Sequence, residues 1–352
     1  MKNLESQIRV RLDTSPLNTG HLLRGIGVYT RLLADYLTKE SDVTLITSKS
    51  DRQKVDLVHY PYFDLYFPTL PIKPWIKTIV TIHDVIPLVF PQHYPPGKKG
   101  ALMLKRQKIA LNFVSTIITD SEASKQDIHS YLHVPLEKIQ VVYLAGQPEL
   151  QPATDTEIKR LRKRLGLSNP YILYVGDINY NKNVPQLIKM LKFLPPNIEL
   201  VCFGKAMKQS EIPEWKAIVT QAALSNVENR LHFISDIDSN DFQSLSALYG
   251  GALCYVQPSL YEGFGLPVLE AMQCATPVVS ANTSSLPEIV GKAGVLVEPE
   301  AEALAAGVLA INQQSTADRQ KMIERAIKHA STFSWKKTAR LTIEAYRKVA
   351  GR

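Results

Sequence analysis

Residues 258–279, PSLYEGFGLPVLEAMQCATPVV, concentrate the residue types that could do chemistry. An apolar run ends at Gln257, and the residues that follow include Gly263 and Gly265. The pattern then predicts a helix from Leu266, with Pro267 in its first turn, where a missing N–H is harmless. Glycines let a backbone approach a ligand closely. A helix N-terminus offers an anion unpaired N–H groups and about half a unit of positive charge. Glu262 in the loop and Glu270 in the helix bracket that anion site. An anion alone does not suit a place between two carboxylates. A molecule with phosphate at one part and hydroxyls at others does, and a nucleotide sugar has both.

The elements that must position this segment follow an α/β alternation. Ile8-Arg9-Val10-Arg11-Leu12 alternates as a strand, and Tyr29, Leu32, Leu33, Tyr36 and Leu37 recur at helical spacing. Further strands are predicted at 43–47, 55–60, 78–82, 116–119 and 139–144. Residues 146–169 are polar, carry two prolines and read as a linker followed by a short helix. Alternation then restarts, with strands at 171–175, 198–203, 231–234, 252–257, 277–281 and 294–297. Helices are predicted near 185–194, 213–224, 241–249, 266–274, 284–290 and 301–313, and an amphipathic tail at 334–349. The expectation is two Rossmann-like domains facing a central cleft, 1–150 and 168–332, with 333–352 packing back on the first. In open α/β sheets ligands lie beyond the carboxyl ends of strands, so the residues directly after strands are the ones to search.

Composition narrows the classes. The 352 residues are 45% hydrophobic and 21% charged, a globular balance that argues against disorder and coiled coil. No apolar run is long enough for a membrane-spanning helix, and MKNLESQIRVRLDTS lacks the apolar core of a signal peptide. Cys202, Cys254 and Cys274 are far apart and offer no metal-ligand spacing, so a reduced, cytoplasmic chain is expected. The net charge is +8, with 18 basic and 14 acidic residues up to position 150, and 23 and 19 beyond it. Both halves are therefore basic, which favours anionic ligands or surfaces. Nucleic acid is poorly supported, because the cations are not interleaved with stacking aromatics.

Glu262-Gly-Phe-Gly-Leu-Pro-Val-Leu-Glu270 resembles the signature of the family 4 glycosyltransferases (glycosyltransferase group 1), retaining enzymes of the GT-B fold. The likeness continues through Thr276-Pro277-Val278 and Ser284-Ser285-Leu286-Pro287-Glu288, and is greatest to the mannosyl- and rhamnosyl-transferase-like branch. Arg24-Gly25-Ile26-Gly27-Val28-Tyr29-Thr30 resembles that branch's glycine-rich loop, and His83-Asp84 its central histidine motif. Ser121-Glu122 falls at its Ser-Glu pair, and Gly176 with Lys182-Asn183 resembles its phosphate-side loop.

The resemblance implies roles. Glu270 would hold the ribose hydroxyls and Glu262 those of the donor sugar. The backbone N–H groups of Gly263, Phe264, Gly265 and Leu266 would meet sugar hydroxyls and diphosphate. Lys182 would neutralise the diphosphate, His83 would sit over the donor sugar, and Gly25 and Gly27 would admit phosphate and acceptor. The chain departs from the family pattern at Asp177, where many relatives have Arg, and at Asn181, another common cation position. Lys182 is then the main cation, with Gly176 and Asn181 beside it and Lys205 assisting from the next strand end. Asp236-Ile237-Asp238 mimics the metal-binding motif of the other glycosyltransferase fold, but reads here as loop and helix-capping acids. Neither metal nor cofactor is expected.

The implied activity is metal-independent retaining transfer of a hexose, first mannose from GDP-mannose, to a glycan or lipid-linked acceptor of the cell envelope. A sugar-nucleotide epimerase of the same fold, or a non-catalytic nucleotide-sugar-binding subunit, stands as the alternative. Between Asp84 and Asp120 there is no acid, whereas Lys98, Lys99, Lys105, Arg106 and Lys108 lie there. As a helix over 98–113 this stretch would gather Lys98, Ala101, Lys105 and Lys108 on one face and Leu102, Ile109 and Phe113 on another. That could rest peripherally on an anionic inner leaflet, or be only a solvated face.

Overall fold

Two six-stranded parallel sheets carry the chain in a computed structural model that describes residues 7–18, 25–47, 54–208, 212–238 and 240–352. The chain divides into one unit of residues 1–144 with 334–352, and a second of 145–333. The first sheet is β1 (Ile8–Leu12), β2 (Val43–Ile46), β3 (Leu57–Tyr60), β4 (Thr78–Thr81), β5 (Thr116–Thr119) and β6 (Ile139–Val141). Its spatial order is β2-β1-β3-β4-β5-β6. Helices α1 (Gly25–Leu37), α2 (Ile86–Val89), α3 (Gly97–Leu111) and α4 (Glu122–Leu132) connect these strands. β4 and β5 are buried along their whole length, as strands covered on both faces must be.

In the second unit α5 (Asp155–Leu165) precedes β7 (Tyr171–Val175), α6 (Val184–Met190), β8 (Glu199–Phe203), α7 (Pro213–Ser225) and β9 (Leu231–Ile234). Then come α8 (Phe242–Gly250), β10 (Cys254–Gln257), α9 (Leu266–Gln273), β11 (Val278–Ala281), α10 (Leu286–Val290) and β12 (Val295–Val297). α11 (Ala301–Asn312) and α12 (Thr316–Ala330) complete the unit, and α13 (Trp335–Ala350) returns to the first. The sheet order is β12-β11-β10-β7-β8-β9. Its direction of growth reverses between β7 and β10, so the loops after these two strands diverge and leave a crevice beyond their carboxyl ends. In the first sheet the reversal lies between β1 and β3.

The strands match the sequence periodicity closely, and the helices show where it was insufficient. The short helix expected within 146–169 is α5. α5 belongs to the second unit and packs on α8, and its start is fixed by a capping box between Thr154 and Glu157. α12 was not read from sequence, because it buries only the narrow stripe Met322, Ala326 and Ala330. The expected glycine-rich loop is also different. Gly25 and Gly27 form the first turn of α1, and a side chain at 25 would meet nothing within 4 Å. Arg24 lies outside the described residues.

α13 belongs to the first unit through specific contacts as well as apolar burial. Trp335 packs 6.1 Å from Tyr29, ring centre to ring centre. The Thr338 hydroxyl donates to the Tyr143 carbonyl at 2.7 Å. Tyr346 is fully buried with its hydroxyl 2.7 Å from His59 Nδ1.

Candidate functional site

The crevice after β7 and β10 holds Lys182 and Glu262 as an ion pair. Lys182 Nζ donates to Glu262 Oε1 at 2.8 Å and to Oε2 at 2.9 Å. Two further donors converge on Oε1: Ser259 Oγ at 2.6 Å and Gln257 Nε2 at 2.9 Å. Tyr255 in turn donates to the Gln257 carbonyl oxygen and fixes that amide's orientation. The Glu262 side chain is 9% exposed and that of Lys182 22%, so neither charge is well hydrated. A carboxylate so placed is tolerable because four hydrogen bonds and one cation meet it. Sequence reasoning treated Glu262 and Lys182 as separate contacts and missed Gln257 and Ser259 altogether.

The loop between Glu262 and α9 is held from below. Glu262 N–H donates to Ser284 Oγ at 2.8 Å, and Ser285 Oγ donates to the carbonyls of Glu262 and Phe264 at 3.0 and 2.8 Å. Thr283 Oγ1 donates to the Ser259 carbonyl at 2.7 Å. Gly265 stands at the N-cap of α9 with φ 114, a backbone region that side chains other than glycine disfavour. The Phe264 ring is buried and lies edge-on to Phe333, so this residue can offer a ligand only its main chain. Leu266 opens the helix half-buried.

Asn181 takes a different part from the one expected of it. It is buried, its amide donates to the Tyr261 carbonyl at 2.9 Å, and its own carbonyl accepts from Leu260 N–H at 2.8 Å. It ties the loop after β7 to the loop after β10 and thereby brings Lys182 to Glu262. Gly176 follows β7, and its carbonyl lies where a Cβ at Gly204 would come to 2.1 Å. Close approach of these two strand ends therefore requires glycine at 204. Lys205, next to it, is exposed.

Glu270 lies on α9, and its Oε2 accepts from the Tyr249 hydroxyl at 2.9 Å. Burial pushes the Glu270 carboxyl above its ordinary range, against the opposing pull of that hydrogen bond. Tyr249 is itself buried, and its partner could not be read from sequence because 21 residues and a strand separate them.

In the first unit His83 and Asp120 follow adjacent strands, β4 and β5, and meet at 2.6 Å between Nδ1 and Oδ2. His83 Nε2 faces the Pro61 carbonyl at 3.2 Å, and the Ser124 hydroxyl donates to the His83 carbonyl at 3.0 Å. Ser121 caps α4 by accepting from Ser124 N–H, while Glu122 is exposed on the first turn. Asp120 is buried, and among the described residues its Oδ1 has no hydrogen-bond partner.

The remaining sequence candidates separate. Asp236 and Asp238 are exposed, Asp238 accepting from Asn240 N–H, and the acid that caps α8 is Asp241. Among the described residues no three of His, Cys, Asp and Glu are placed to hold one metal ion. The lysine face expected on α3 is rearranged. Lys98, Leu102, Lys105 and Ile109 point outward together, Leu102 being 69% and Ile109 52% exposed, while Lys108 turns to donate to the Tyr131 carbonyl. Lys99 is exposed, and Arg106 is half-buried against Gln107. Among the described residues no helix is long and apolar enough to cross a membrane.

Two parallel α/β sheets, with a glycine loop, a helix start and a paired acid and cation at strand ends, have the architecture of the GT-B fold. A family model described as glycosyl transferases group 1 matches residues 155–329, and one described as glycosyltransferase family 4 matches 45–145. O-antigen chain mannosyltransferase B of Escherichia coli is 30% identical over 277 residues, covering 77% of this chain and 70% of that protein. The serotype-specific mannosyltransferase WbdA of Escherichia coli is 25% identical over 290 residues, which are 80% of this chain but 35% of that protein. This chain thus spans about a third of WbdA. Among solved structures, sucrose-phosphate synthase from Thermosynechococcus elongatus matches with a TM-score of 0.74 at 19% identity, over 98% of this chain and 100% of that one. Anabaena Alr3699/HepE in complex with UDP-glucose matches with a TM-score of 0.71 at 19% identity, over 97% and 99%. The chain belongs to the group 1, family 4 glycosyltransferases.

Proposed function

We propose that this glycosyltransferase moves mannose from GDP-mannose to a glycan or lipid-linked acceptor in the assembly of a cell-surface polysaccharide. The observation that carries the donor sugar is the 30% identity to an O-antigen mannosyltransferase over 70% of that protein's length. The observation that supports the chemistry is the Lys182–Glu262 pair at the point where the second sheet reverses. A diphosphate brought there would compete with Glu262 for the ammonium, and the freed carboxylate would be available to sugar hydroxyls. Glu270, steadied by Tyr249, would take the ribose. Lys182 and the N–H groups from Gly263 to Leu266 would stabilise the leaving diphosphate, with Gly176 admitting it closely and Lys205 adding charge. Gly25 and Gly27 would admit the acceptor and phosphate side from the first turn of α1. Transfer would proceed with retention and without a metal, the protein supplying position and charge.

The test is a panel of nucleotide sugars followed by nucleoside diphosphate release, with and without lipid-linked glycan acceptors. GDP-mannose should be turned over, in EDTA as well, and the product should keep the anomeric configuration of the donor. Turnover of UDP-glucose but not GDP-mannose would overturn the donor. Loss of activity in EDTA with rescue by Mn²⁺ would overturn the metal-free step.

The reading includes a peripheral position on an anionic membrane surface. Residues 85–119 hold no acid, and α3 turns Lys98, Leu102, Lys105 and Ile109 outward together, followed by the half-exposed Phe113. Cations near such a surface contribute about 1 kcal/mol each, and apolar side chains beside them can enter the headgroup region. Co-sedimentation with phosphatidylglycerol vesicles but not neutral ones is expected, weakening with salt. Binding unchanged by Lys98→Glu with Lys105→Glu ends the idea.

A further inference from the structure

In the first unit the His83–Asp120 pair has a geometry that dictates a charge. Nδ1 meets a carboxylate oxygen and Nε2 meets a peptide carbonyl. A carbonyl oxygen can only accept, so Nε2 carries a proton. The carboxylate then either receives a second proton from Nδ1 or holds that proton itself. Several groups decide between these. Asp84, the next residue, adds negative charge on the same side. Tyr29 on α1 packs edge-on at 4.7 Å and is a neutral phenol. His59 on β3 is neutral, held down to about 3 by burial first and the His83 charge second, and its nitrogens meet the hydroxyls of Tyr346 and Thr81. Burial pulls His83 down, but the Asp120 charge and hydrogen bond, Asp84 and the Pro61 carbonyl together hold it above its ordinary value. Burial also raises Asp120, opposed by the His83 charge and hydrogen bond. The two groups share one proton, and an ordinary imidazole outcompetes an ordinary carboxylate for it.

We infer that Asp120 is a positioning residue that, with the Pro61 carbonyl, holds His83 as an imidazolium with both ring N–H groups donated. This rests on the proposed function only in taking His83, as the family resemblance implies, to sit over the donor sugar. Such a ring has no lone pair with which to take a proton from an acceptor hydroxyl. His83 therefore acts through fixed position and positive charge, and not as a general base. Its side chain is 18% exposed, so the ring retains a face for a ligand while both nitrogens are engaged. Asp120 carries none of the family signature residues named above. It became visible only when β4 and β5 brought residues 37 apart into contact.

The test is nitrogen NMR of the full chain with ¹⁵N-histidine, His83 being identified by the signals lost in His83→Gln. In the wild type at pH 7 both ring nitrogens should show the protonated pattern. In Asp120→Asn at the same pH the ring should become neutral, with the proton on Nε2. A neutral His83 in the wild type, or a ring that stays charged in Asp120→Asn, overturns the inference. The wild-type spectrum decides even if the variant folds poorly. With a donor in hand, kcat should fall on the alkaline side as His83 loses its proton, and Asp120→Asn should move that fall to lower pH. Each unit of movement lowers turnover about tenfold at pH values above both midpoints, while turnover recovers in acid. Equal loss at every pH would mean a merely structural role and overturn the inference. Absence of any donor turnover would overturn the proposed function and leave the spectral result standing.

Discussion

The polar clusters at the strand ends of the two units handle charge in opposite ways. In the second unit Glu262 and Lys182 lie where the sheet reverses, and the Glu262 carboxylate is answered from within the unit by Gln257, Ser259 and Lys182. In the first unit His83 and Asp120 follow β4 and β5, away from the reversal, and Asp120 Oδ1 meets no partner among the described residues. A reversal opens space, so its charges must satisfy one another when no ligand is bound, and a ligand must exchange partners to enter. Between neighbouring parallel strands there is little space, so the pair is rigid and its protonation is set by what is packed around it. On the proposed function, the difference separates a site that would exchange partners on binding from one that is preset.

The largest effect that would break this contrast is at Lys182. Lys182→Ala should lower turnover by about 10²–10³, the loss typical of removing one donor to developing charge. It should also destabilise the second unit, because Glu262 is left as a poorly hydrated carboxylate without its cation. If pairing is the reason, Lys182→Met with Glu262→Gln should melt higher than Lys182→Met alone. Thermal unfolding of the three proteins checks this, and equal melting of the single and double variants would dissolve the distinction between the units.

A smaller effect sharpens the roles within the second unit. Glu270→Ala should weaken binding of the free nucleoside diphosphate by about 10- to 100-fold, from about 1.5–3 kcal/mol for hydrogen bonds to a charged acceptor. Glu262→Ala, which removes the competitor for the Lys182 ammonium, should tighten that binding and depress turnover. Isothermal titration of each variant separates them. Since burial holds Glu270 above its ordinary carboxyl range, diphosphate affinity should fall with acid starting above the pH of an exposed glutamate. Ser284→Ala, which removes the acceptor for Glu262 N–H, should cost about 1 kcal/mol in urea unfolding.

The smallest effect concerns the first unit's other buried histidine. His59 has a folded value near 3, below the ordinary 6.5. Between those values the unfolded chain binds more protons, so this group's contribution is complete above pH 6.5 and is lost as pH falls toward 3. His83, held above its ordinary value, works in the other direction, its stabilisation being present in acid and lost as pH rises through the folded value. The fall in urea midpoint from pH 7 to pH 5 should be smaller in His59→Asn than in the wild type, or reverse in sign. An unchanged fall would mean that His59 is not held neutral in the folded chain.

What sequence alone determined was what short-range pattern can encode. Strand positions follow from apolar runs, because a doubly covered parallel strand needs them. The α9 start follows from glycine and proline placement, and the Glu262–Glu270 spacing fits within one loop and one helix. Tertiary structure decided the partners. Tyr249, Gln257 and Asp120 carry no local mark, since each acquires its meaning from a side chain on another element. Asn181 and Glu262 lie 81 positions apart by number, yet the β7 and β10 loops fall side by side once these strands pair. The direction of a helix face was likewise undecided by periodicity. Leu102 and Ile109 have core-like spacing, but the inner face of α3 is taken by Gly100, Gln107, Ala110 and Leu111, where Gln107 is satisfied by the 64–69 segment. Spacing tells which residues share a face. Which face is covered depends on the chain that arrives from elsewhere.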